Sequence, residues 1–186
     1  DFMITGKRHP FAYRYTVGFD DTGRLSGLEL DMLANCGFSA DLSGPVADRA
    51  VFHADNAYSL EHVEIASYRC KLHTQSHTAF RGFGGPQGVI VIERILSDIA
   101  QQLGLDPLDV RLRNLYGIES RNVTHYQMKV EDNILEPLMT TLADTSQYRE
   151  RRAQIAAWNA QSPVIKKGIS LTPVKFGISF TATLFN

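Results

Sequence analysis

Phe80-Arg81-Gly82-Phe83-Gly84-Gly85-Pro86 is the stretch on which the reading of this chain turns. Three glycines in seven residues cost backbone entropy and contribute no side-chain packing. Two phenylalanines and an arginine project from that bare turn, which runs directly into a helical pattern from about Pro86 to Leu103, with Gly104 as its stop. A turn placed there leaves unpaired N–H groups at a helix start, which favour anionic ligands. Composition alone supports equally a tight strand-to-helix turn whose aromatics join the core. Two phosphate motifs are excluded. No Lys-Ser or Lys-Thr closes a P-loop, and no Gly-x-Gly-x-x-Gly is followed by a matching acidic residue.

Working outward, residues 63–72 alternate in polarity and predict a strand, joined to the glycine turn by the polar stretch 74–78. Residues 14–19 and 24–33 are β-prone and flank Asp20-Asp21-Thr22-Gly23, a hairpin turn signal. Ser43-Gly44-Pro45 reads as a helix start with Ser43 as cap, and Arg49 falls in the first turns of that short helix. Asp106-Pro107 caps a second short helix through Val110, Leu112 and Leu115. Residues 135–143 and 147–160 are further helices. The second carries Tyr148, Ile155 and Trp158 on an apolar stripe, with Arg149, Arg151 and Arg152 as a solvated face. Residues 168–184 return to strand character. Irregular alternation of strands and helices predicts an α+β (mixed α/β) fold.

The bulk properties narrow the class. The chain has 186 residues, 44% of them apolar, and its 19 basic and 20 acidic residues leave a net charge of -1. No basic excess points to nucleic acid, no apolar run is long enough to span a membrane, and no signal peptide opens the chain. Cys36 and Cys70 lack the close spacing of an iron–sulfur or zinc site and read as small buried hydrophobes, in keeping with a reducing, cytoplasmic compartment. The six histidines show no ligand spacing and read as structural or surface residues. The chain opens without methionine and closes within a strand-like run, so residues 1–186 are expected to be one partial domain, truncated at both ends.

Residues 78–88 resemble the molybdenum-site loop of the xanthine dehydrogenases and their relatives. The resemblance extends, in order, to Ile4-Thr5-Gly6-Lys7-Arg8-His9-Pro10-Phe11, Arg49-Ala50-Val51-Phe52-His53, Arg111-Leu112-Arg113-Asn114-Leu115-Tyr116 and Lys175-Phe176-Gly177-Ile178-Ser179-Phe180-Thr181. It implies part of a molybdopterin-binding and substrate domain. The activity implied is hydroxylation of purines, hypoxanthine to xanthine to urate, at a molybdenum–pterin centre. Electrons would pass to [2Fe-2S] clusters, FAD and NAD on the rest of an oligomeric enzyme.

The resemblance also assigns residues. Arg81 approaches molybdenum through its backbone amide, Gly82 permits that approach, and Phe80 belongs to the same cofactor loop. Phe83 and Phe180 sandwich the purine, each with core packing as the alternative, and Thr181 hydrogen-bonds it. Arg49 matches the arginine at the far side of the purine, where charge gathers during attack, and aldehyde oxidases of the same superfamily generally lack it. The general-base glutamate belongs to a motif this sequence does not contain. Glu93, Glu131 and Glu136 do not replace it, Glu93 reading as a solvated helix residue. No turnover is expected of these 186 residues alone. An aldehyde oxidase-like hydroxylase and a non-catalytic assembly domain are the alternatives.

Overall fold

The carboxylate of Asp20 organises the first turn. It accepts from the backbone N–H of Thr22 at 2.8 Å and of Arg24 at 3.1 Å. The strands it joins are β1 (Phe11–Phe19) and β2 (Leu25–Gly37), an antiparallel pair with Phe11 opposite Ala34 and a register shift at Gly18/Phe19. On its other edge β2 pairs in parallel with β3 (Val63–Lys71), Leu28 opposite Val63. A parallel neighbour demands a crossover, which α1 (Ser43–Phe52) supplies. The order is therefore β1-β2-β3 in the computed structural model, which describes residues 3–177.

Period-two alternation in β2 sends Leu28, Leu30 and Met32 into the core. Helical spacing in α2 (Gly85–Leu103) sends Ile92, Ile95, Leu96 and Ile99 into the same cluster. Next comes α3 (Pro107–Asn114), capped by Asp106, whose side chain accepts from Leu108 N–H at 2.8 Å. At its end, Asn114 accepts from Leu25 N–H at 2.9 Å and donates to Gly23 C=O at 2.9 Å, pinning the hairpin to the helix. The helices α4 (Leu135–Thr145) and α5 (Tyr148–Gln161) complete an α+β architecture.

Five local expectations change. Ser43 opens α1 without capping it, because its hydroxyl is taken by His9 Nε2 at 2.8 Å. Arg49 lies in the last turn of α1, since the helix stops at Phe52. The apolar stripe on α5 buries only Tyr148, while Trp158 stays half exposed with Lys167 over its ring at 3.5 Å. Residues 168–177 form no strand, being fastened to their neighbours by side chains instead; residues 178–184 lie outside the described residues. Cys36 is buried as expected, but Cys70, on the edge strand β3, is only half-buried.

Candidate functional site

The site begins where α2 starts against α1. A side chain is excluded at two positions where α2 meets α1, the N-cap Gly84 and Gly88 in its first turn. A Cβ at Gly84 would lie 2.0 Å from the Val46 carbonyl oxygen, and one at Gly88 2.2 Å from that of Ala50. Gly84 also adopts φ 101°, a conformation that L side chains rarely take. The two glycines let α2 press onto the α1 backbone, which brings the last turn of α1 to the glycine loop.

Arg49 is delivered there, 6% exposed. Its guanidinium carbon lies 5.9 Å from the centre of the Phe83 ring and 5.4 Å from that of Phe176, and Nη1 donates to Gly177 C=O at 2.6 Å. One turn further, His53 is sandwiched between backbone groups. Its Nδ1 sits 2.8 Å from the Arg49 carbonyl oxygen, and its Nε2 accepts from Gly177 N–H at 3.0 Å. These partners fix the neutral Nδ1–H tautomer, and burial, the largest influence, holds the imidazole pKa below its ordinary value. The Phe176 ring packs on that imidazole at 4.9 Å.

Residues 173–177 are held by a buried polar spine. Lys175 Nζ donates to Asp55 Oδ2 at 2.6 Å and to Tyr126 Oη at 3.1 Å, while its backbone N–H donates to Asn56 Oδ1 at 3.0 Å. The amide of Asn56 donates to Pro173 C=O at 2.9 Å and to Glu93 Oε1 at 2.8 Å. Glu93 is thus not a solvated helix residue. Tyr58 donates to it at 2.6 Å and Arg111 Nε at 2.7 Å, because α3 lays Arg111 against α2. Burial first, and then the facing carboxylates, push the phenols of Tyr58 and Tyr116 far up, so each stays a neutral donor to Glu93 and Asp55 respectively.

A second anchor holds the other side of the loop. Arg8 Nη2 donates to Arg81 C=O at 2.7 Å, and its guanidinium carbon lies 4.5 Å from the Phe80 ring centre. Phe80 is 55% exposed and the Arg81 side chain points to solvent. Gly82 takes φ 91° and Phe83 takes φ 48°, unusual for a residue with a side chain.

The structure therefore brings Arg49 and Phe83 together and sets Phe80, Arg81 and Gly82 on the adjoining turn. Phe180 and Thr181 lie outside the described residues. Residue reading alone missed Arg8, His53, Lys175 and Phe176 as parts of this assembly. All four stand in the segments that carry the family resemblance, and that was the available signal.

Comparison with known proteins gives the family. Residues 1–115 match the molybdopterin cofactor-binding domain family. The chain is 43% identical over all 186 residues to the xanthine dehydrogenase/oxidase of Gallus gallus and 40% identical to the xanthine dehydrogenase of Dictyostelium discoideum, spanning 14% of the length of each. The fold matches the aldehyde oxidoreductase of Desulfovibrio gigas with a TM-score of 0.68 and 20% identity, over 87% of this chain and 17% of that one. It matches quinoline 2-oxidoreductase of Pseudomonas putida with a TM-score of 0.66 and 21% identity, over 84% of this chain and 21% of that one. The match over residues 1–115, which include the glycine loop and Arg49, places this chain in the molybdopterin cofactor-binding domain family.

Proposed function

We propose that this chain supplies one wall of the active site of a purine-hydroxylating xanthine dehydrogenase, with residues 1–186 forming part of its molybdopterin-binding and substrate region. The observation that carries the reading is Arg49: a buried cation held beside the Phe83 and Phe176 rings. A flat heteroaromatic gains from ring contacts of this kind, and a guanidinium fixed at its far end stabilises charge that develops there during attack. Because the arginine is already held, little reorganisation is needed as that charge appears.

The loop fits a metal carried on its own organic ligand. Among the described residues no three His, Cys, Asp or Glu side chains stand together to hold a metal ion, and the loop offers glycine backbone and aromatic surface instead. When bound, a molybdenum–pterin would supply the redox chemistry. Arg81 and Gly82 would approach it through backbone, with Arg8 holding the Arg81 peptide in place. Phe180 and Thr181 would complete the substrate contacts. Iron–sulfur, FAD and NAD sites elsewhere in an oligomeric, cytoplasmic enzyme would take the electrons. Among the described residues no helix is long and apolar enough to cross a membrane.

The test is Arg49→Met in the intact enzyme, assayed with xanthine and with a simple aromatic aldehyde. The expected result is a loss of about 100- to 1,000-fold in kcat for xanthine, the scale for removing one such electrostatic contact. A wild-type enzyme that prefers the aldehyde, or a variant with full xanthine turnover, overturns the purine assignment.

A further inference from the structure

Arg49 does not hold its own position. Its Nη1 rests on Gly177 C=O, and Gly177 in turn hangs by its N–H from His53 Nε2. His53 closes the circuit by donating Nδ1–H to the Arg49 carbonyl, one turn back along α1. One glycine residue is thus gripped at its N–H by an imidazole and at its C=O by the arginine. Only neutral imidazole can play this part, because a doubly protonated ring has no acceptor for the Gly177 N–H. Among the described residues, the charged groups facing the ring are Arg49 from its own helix, Asp55 from the turn that follows, and Lys175 from the packed segment. Two of the three are cations, which oppose a charge on the imidazole.

We propose that His53 is a positioning residue for substrate choice: in its neutral form it clamps Gly177 so that the carbonyl holds the Arg49 guanidinium, and its protonation releases that clamp. This inference rests on the purine reading of Arg49. It adds that purine turnover, relative to turnover of a substrate that does not use Arg49, carries an acid limb belonging to a residue outside the reacting atoms. Burial holds the His53 pKa below 6.5, so the limb falls on the acid side of that value.

The test uses the intact enzyme with xanthine and an aromatic aldehyde, each read as kcat/KM between pH 5 and 8. In the wild type the xanthine-to-aldehyde ratio is expected to fall toward acid. His53→Leu, which removes both hydrogen bonds, is expected to lower that ratio about tenfold or more at neutral pH. His53→Gln keeps a donor and an acceptor without titrating in this range, so it should restore most of the ratio and flatten its acid fall. In the Arg49→Met background, His53→Leu should lower xanthine turnover no further, since both act through one guanidinium. Equal loss for both substrates, full additivity with Arg49→Met, or an unchanged acid limb in His53→Gln each overturns the inference. The last of these serves even if the leucine variant does not fold. If Arg49→Met itself leaves xanthine turnover intact, the purine reading fails and takes this inference with it, a result distinct from the other three.

Discussion

At the scale of single residues, Gly84 shows how a position can be chemically silent and still decide the site. Its φ of 101° and the 2.0 Å between a built Cβ and the Val46 carbonyl oxygen are separate objections to a side chain. Gly104 carries only the first: its φ is 67°, with nothing within 4 Å of a built Cβ. Alanine at Gly104 is therefore expected to cost about 1 kcal/mol, the conformational part alone. Alanine at Gly84 should cost about 3 kcal/mol or more, because overpacking adds to strain. Urea unfolding of the two variants reads the difference, and equal costs would mean that α1 and α2 do not meet at Gly84. The same residue scale explains Phe83. Its φ of 48° lies between two glycines at 91° and 101°, so the whole turn is left-handed and its ring is carried toward Arg49.

Between elements, the junction of α2 and α3 is a buried ion pair. Arg111 Nε and Glu93 Oε2 lie 2.7 Å apart, with side chains 3% and 13% exposed. Arg111 spends its other donors on Pro107 C=O and Ser97 Oγ, so little of either charge is left to water. Glu93→Ala strands the guanidinium in the interior and is expected to cost about 3–5 kcal/mol. Replacing both residues by leucine should recover much of that loss, because the penalty belongs to the unpaired charge and not to the missing pair. A double-mutant cycle by chemical denaturation checks it, and additive losses would show that the two groups do not meet. Glu93 also accepts from Asn56 and Tyr58, so the same variant should loosen the segment that carries Phe176 and Gly177.

For the whole molecule, four histidines in different places share one electrostatic condition. His9, His53, His77 and His125 all have pKa values lowered from 6.5, with burial the largest cause in each. A group whose folded pKa is depressed binds more protons when unfolded, so the stability it lends is complete above the unfolded value and lost as pH falls. The thermal midpoint of this chain is accordingly expected to be level above about pH 6.5 and to drop as pH falls below it. Calorimetry from pH 8 to pH 5 measures this. A midpoint level down to pH 5 would mean the four rings are not held neutral. The main hydrophobic core is built largely from β2, α2 and α3, with residues 169 and 171 packed onto it.

Much of the architecture was legible in the sequence because it is dictated locally. The Asp20 turn, the β-prone run of β2, the alternation read in β3, the Asp106-Pro107 start of α3 and the Gly104 stop of α2 each depend on residues within a few positions of one another. The glycine loop was also legible, as a departure from ordinary packing composition. What only the tertiary structure decided are pairings across long separations. Ser43 could not be refused as a cap until His9 was seen to claim its hydroxyl. Glu93 looked solvated until α3 brought Arg111 beneath it. Residues 168–177 have strand character in the sequence, yet Asn56 and Lys175 tie them down with side-chain hydrogen bonds instead of a ladder. The physical reason is the same in each case: turn and helix preferences are properties of neighbours in the chain, whereas burial of a polar group is settled by whichever distant partner the fold delivers to it.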